Sequence, residues 1–156
     1  MNKIKPTFKD RIVNDRFTLG LVSGLIAAMA MSLLNYIFIY TTSAKTLFSD
    51  FVGIMLFGSK PNSLTEIFIA TIAHFLLGGI LGVVFSYLVL LVSENNLVLK
   101  GITYGAVTFF ILFSLGVLFK ISGLERSIVP TVLSKGIGSA FYGFVLAYVM
   151  LLLKRS

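Results

Sequence analysis

The chain has no cysteine, one histidine and six acidic residues among its 156 positions. Without cysteine there is no disulfide framework, no iron–sulfur or thiolate zinc site and no thiol nucleophile. A lone histidine cannot form a two-histidine metal site. The acidic residues, Asp10, Asp15, Asp50, Glu66, Glu94 and Glu125, all lie outside the apolar runs or at their ends. A buried metal centre therefore lacks ligands, and neither a metal nor another cofactor is expected.

Charge is scarce too. Charged residues make up 12% of the chain and apolar residues 57%, with a mean hydropathy of +0.99, against a soluble norm of about 25% charged. This balance predicts an integral membrane protein, a single membrane domain over residues 1–156 with no separate soluble module. The net charge of +7 does not predict nucleic-acid binding. Its Lys and Arg residues are spread over the ends of the apolar runs, whereas a nucleic-acid footprint gathers them on one face. They suit lipid headgroups instead.

What is abundant is apolar sequence in lengths of 20 or more. A hydrocarbon core of about 30 Å takes around 20 residues of helix, and four stretches qualify, at about 17–40, 67–92, 97–119 and 128–153. Each must be helical, because unpaired backbone groups are not tolerated in lipid. The triplet Ala28-Met29-Ala30 resembles a signal-peptidase site, but the apolar run continues through Tyr40, too long for a signal peptide. With four spans both termini share a side. Lys3, Lys5, Lys9, Arg11, Arg16, Lys100, Lys154 and Arg155 lie there, eight basic residues against Lys45, Lys60, Lys120, Arg126 and Lys135, five on the other side. Both termini are expected in the cytoplasm of a bacterial cell, with the chain in the cytoplasmic membrane.

Between the first two spans lies a long connection. At about 45–58 it carries Leu47, Phe48, Phe51, Val52, Ile54 and Met55 at helical spacing, with Ser49, Asp50 and Gly53 opposite. A short amphipathic helix is expected there, either on the outer interface or folded back over the bundle.

Small residues recur every four positions, on one helix face. The first span has Gly20, Gly24, Ala28 and Ser32; the second His74, Gly78, Gly82 and Ser86; the fourth Lys135, Ser139, Gly143 and Ala147. The third has Gly101 and Gly105 before Phe109 and Phe113 take over. Such stripes let helix backbones approach closely in lipid. A shift of 81 carries Gly20 and Gly24 onto Gly101 and Gly105, and a shift of 61 carries His74, Gly78 and Gly82 onto Lys135, Ser139 and Gly143. The fold class expected is therefore all-α: four transmembrane helices forming two parallel-repeat helical hairpins, with the amphipathic loop as an insertion in the first.

The same spacing puts His74 on a packing face. At 1.5 Å per residue, Asn35, His74 and Lys135 all fall roughly 7 to 12 Å below the outer helix ends. With Ser114 and Ser134 they could line a shallow polar pocket for an anionic or polar headgroup, covered by the loop. The plainer alternative is an interhelical hydrogen bond for His74 and a Lys135 that snorkels to the interface.

The order of features is a glycine-rich first span, a Lys60-Pro61 turn, Ala73-His74-Phe75 followed by Gly78-Gly79, Lys100-Gly101 opening the third span and Phe141-Tyr142-Gly143-Phe144 in the fourth. It resembles small bacterial four-span proteins of the YqhR and YagU-like kind. The resemblance implies an inner-membrane protein without an assigned reaction, so no catalytic residue can be transferred. With a single His, no Cys and no Asp or Glu inside the spans, the set of base, orienting group and charge stabiliser that catalysis needs is thin, so an enzyme is not expected. A non-enzymatic accessory or assembly subunit is, associating with lipids and with its own copies or another membrane protein. A small transporter or channel, dimeric and built on the outer polar pocket, is the alternative.

Overall fold

The computed structural model describes residues 13–42, 46–93, 95–121 and 129–155. Within them lie five helices: α1 Arg16–Thr41, α2 Phe48–Phe57, α3 Leu64–Val92, α4 Leu97–Leu118 and α5 Val129–Arg155. All but α2 are long and apolar enough to cross a membrane, so the chain is a multi-pass membrane protein with the expected all-α architecture. Of the sequence-based bounds, positions 45 and 128 and all the basic residues before Val13 fall outside the described residues, as do Lys45, Glu94, Glu125 and Arg126.

Local chemistry sets the helix ends. The Asp15 carboxylate accepts from the Phe17 and Thr18 amides at 3.2 and 3.1 Å and from the Thr18 hydroxyl, an N-cap for α1. At α3, Ser63 Oγ accepts from the Glu66 amide (3.2 Å) while Glu66 accepts from the amides of Ser63 (3.3 Å) and Asn62 (2.8 Å). That reciprocal box satisfies donors the helix cannot. The turn into α4 uses positive φ at Ser93 and Asn96. Lys100 Nζ reaches back to Ser93 O and Oγ, both at 3.0 Å, placing a cation at the negative end of α3.

The hairpins close on their glycine seams. A Cβ on Gly20 would sit 2.7 Å from Gly82 O, and one on Gly24 2.5 Å from Gly78 O; no side chain fits between these backbones. In the second hairpin Gly101 lies against Gly143 and Ala147, and Gly105 against Ser139. Adding 81 to the α1 positions and 61 to the α3 positions converts the first pair of contacts into the second. The repeat visible in sequence is thus a repeat of interfaces.

The hairpins do not meet symmetrically. Helices α1 and α5 pack along their length, and with parts of α3 and α4 they enclose a core of Leu19, Ala27, Met31, Phe85, Leu146 and Met150. Helices α3 and α4, neighbours in the chain, touch little. Near the turn that joins them the Tyr104 ring packs against Phe85, centroids 5.0 Å apart and planes tilted by 42°, and its hydroxyl donates to Leu81 O (2.8 Å). Beyond that level a gap opens between them.

Helix α2 packs on the bundle across the far end of α3, burying Phe51, Val52, Gly53 and Ile54. The expected stripe needs one correction. Gly53 faces inward, against Pro61 and Ala70, and Met55 faces out, 53% exposed. The helix approaches through its smallest residue because a side chain there would collide with Pro61.

Candidate functional site

Beneath the start of α2, three of the residues expected to form a polar site come together, and Phe48 joins them. Asn35, fully buried, accepts from the Phe48 amide through Oδ1 at 3.0 Å. The Phe48 ring stacks on the His74 imidazole, centroids 5.9 Å apart and planes 20° from parallel. Lys135, 2% exposed, lies over the same ring at 4.7 Å and donates to the carbonyls of Leu47 (2.9 Å) and Thr46 (3.4 Å). One aromatic ring thus carries an imidazole and an ammonium, and its own amide is held by an amide side chain.

His74 closes the seam of the first hairpin. Its Nε2 is 3.2 Å from Ser32 Oγ, and that hydroxyl also donates to Ala28 O at 2.9 Å. Which of the two donates follows the histidine tautomer. The pair is an interhelical hydrogen bond, worth about 1 kcal/mol in a membrane.

The other expected site residues divide. Ser134 is buried and donates to Thr131 O (2.9 Å). Ser114 is exposed on α4 and lines neither cavity. Its depth matches the cluster, but its direction does not: the cleft-facing residues of α4 are Gly105, Thr108, Phe109, Leu112 and Phe113, and Ser114 follows a quarter turn later. The seam residues Gly20, Gly24, Ala28, Gly78, Gly82, Ser86, Gly101, Gly105, Ser139, Gly143 and Ala147 occupy the interfaces expected of them. Lys135 does not snorkel; the backbone leading into α2 supplies the carbonyl oxygens of Thr46 and Leu47 in place of water.

Two cavities flank the cluster. The larger is the gap between α3 and α4, roofed by Phe48, Phe51 and Val52 and walled by Leu77, Leu81, Phe109, Leu112 and Phe113, with Lys135, His74 and Ser139 also among its lining residues. Its cavity volume is about 60 Å³. Tyr142, whose hydroxyl donates to Gly78 O at 2.6 Å, completes the lining. The smaller cavity, about 40 Å³ by the same measure, lies on the other side of Phe48 among Ser32, Asn35, Ser49, Thr71 and His74. Asn35 Nδ2 is buried there and has no hydrogen-bond partner among the described residues. The Phe48 amide fixes its orientation, because a flipped amide would set two donors face to face.

Sequence reasoning missed Phe48, Tyr104 and Tyr142. Phe48 is one apolar residue among six in the loop stripe, with nothing to single it out. Tyr142 has a usable signal, since it precedes Gly143 and so lies at the edge of the α5 seam.

Comparison of the chain with family models, with curated proteins and with solved structures gives no match.

Proposed function

We propose that the protein is a non-enzymatic accessory or assembly subunit that works by association within the bilayer. The observation behind this reading is the unclosed gap between α3 and α4. The glycine seams are used up inside the two hairpins and the polar cluster is spent on docking α2. The remaining irregular surface within the membrane is an apolar cleft that something apolar must fill, since genuinely empty space forgoes dispersion contacts. Membrane lipids and a second copy or another membrane protein are the proposed partners.

The proposed setting is the bacterial cytoplasmic membrane with both termini in the cytoplasm, which the eight-to-five bias of basic residues favours. Kinship with the YqhR and YagU-like proteins agrees with this setting and rests on the sequence motifs alone. Because the chain lacks cysteine, single cysteines report without background. Leu112→Cys should crosslink to a partner in native membranes, and a protein that stays monomeric and uncrosslinked at this and other lipid-facing positions would remove the association reading. The polar cavity beside Asn35 favours a second reading, a small transporter. Proteoliposomes that pass neither anions nor cations would dispose of it.

A further inference from the structure

Lys135 raises a question that the docking of α2 leaves open. An ammonium 2% exposed inside a membrane protein is costly unless an anion offsets it. Among the described residues no carboxylate makes an ion pair with it; Asp50, at the start of α2, acts on it at longer range but is ion-paired to Lys60 at 3.1 Å, so one carboxylate faces two cations. Its partners are two neutral carbonyls and an aromatic face. The positive charge is among the residues that line the cleft between two spans that touch little.

The dimensions narrow the occupant. Helix α5 has 27 residues and so measures about 40 Å, some 10 Å more than the hydrocarbon core. Lys135, six residues from Val129, lies roughly 9 Å along it. Half the overhang brings it within about one turn of the hydrocarbon boundary, outside which lies the headgroup layer with its phosphates. From His74 to Leu81 the cleft wall runs roughly 10 Å along α3. Its cavity volume of about 60 Å³ is far too small to take in a helix about 10–12 Å across, and a slender chain suits it better.

We propose that the cleft between α3 and α4 binds an anionic phospholipid, one acyl chain lying against Leu77 and Leu112 and the headgroup phosphate pairing with Lys135. The second chain stays in the surrounding bilayer. The inference concerns the cleft on which the association reading rests but needs no protein partner.

The test uses full-length protein in phosphatidylcholine nanodiscs, with trace phosphatidylglycerol or phosphatidylcholine bearing a photoactivatable diazirine on one chain. Labelled residues are mapped by mass spectrometry. Phosphatidylglycerol should label Leu77 and Leu112 about tenfold more than phosphatidylcholine does, as expected of one charge-assisted contact. Lys135→Met should abolish that preference and Lys135→Arg should keep it. Leu112→Trp, which fills the cleft with Lys135 intact, should cut labelling at Leu77 by both lipids, and so tests the chain site even if Lys135→Met does not fold. Equal labelling by the two lipids in the wild type, a preference that survives Lys135→Met, or labels confined to the outer positions Leu76 and Ile80 would each overturn the proposal. Selective labelling of a protein that forms no complex would uphold it while removing the association reading.

Discussion

Replacing Phe48 by Ala should undock α2. The ring has two polar partners, the His74 imidazole at 5.9 Å and the Lys135 ammonium at 4.7 Å. Stacking contributes about 0.5–1.5 kcal/mol and a cation over a desolvated aromatic face up to about 2. Even the lower halves of these ranges, with the loss of apolar packing against the core and Gly138, make about 2 kcal/mol a conservative cost, or about 30-fold in the population of undocked α2. Ile54→Cys, at a position 5% exposed in a chain without other cysteines, provides the readout through its rate of reaction with a membrane-impermeant maleimide. Adding Phe48→Ala should raise that rate about 30-fold if opening is in rapid equilibrium, and Phe48→Leu should raise it less, because the methyls keep part of the packing but neither ring interaction. A labelling rate unchanged by Phe48→Ala would refute the idea that this ring holds α2 down.

Other expectations follow from the seams and caps. Gly24→Leu and Gly101→Leu should each separate one hairpin, seen as loss of monodisperse protein in mild detergent, since at both positions the opposing atoms include backbone; Gly58→Ser, where an added Cβ would meet nothing within 4 Å, should cost only its positive φ, about 1 kcal/mol. Tyr142→Phe removes the donor to Gly78 O and should lower thermal stability by about 1 kcal/mol. The Thr18 hydroxyl, and then the Thr18 and Phe17 amides, hold the Asp15 carboxyl below its ordinary 3.8. A depressed folded-state value means the cap is fully present above about that pH and is lost as pH falls through the lower value. Hydrogen exchange at Phe17 and Thr18, corrected for intrinsic rates, should therefore accelerate below about pH 4 in the wild type and show no such step in Asp15→Asn.

The spans, their pairing and the repeat were legible because each rests on a short-range period. Four-residue spacing of small side chains states which face of a helix is buried, and the shifts of 81 and 61 state which faces correspond. The gap between α3 and α4 was not legible, since it depends on the angle at which two finished hairpins meet, which no period encodes. The cluster of Asn35, His74 and Lys135 could be found by counting depth along the helices. Ser114 failed the same count because depth leaves direction undetermined; only the placement of Phe109 and Phe113 toward the cleft fixes the rotation of α4. Snorkelling is the wrong expectation for Lys135 because its acceptors, Thr46 and Leu47 carbonyls, come from backbone some 90 positions away.

The attachment of α2 has a mechanical side. Each hairpin is a stiff plate, its backbones in contact, and the plates share one edge, α1 against α5. Plates joined along an edge have a single soft motion, a hinge that widens or narrows the far side. Helix α2 is tied to one plate through Asn35 and His74 and to the other through Lys135, so it spans the hinge as a strap. Whatever competes for the Lys135 end of that strap sets how far the molecule can swing open.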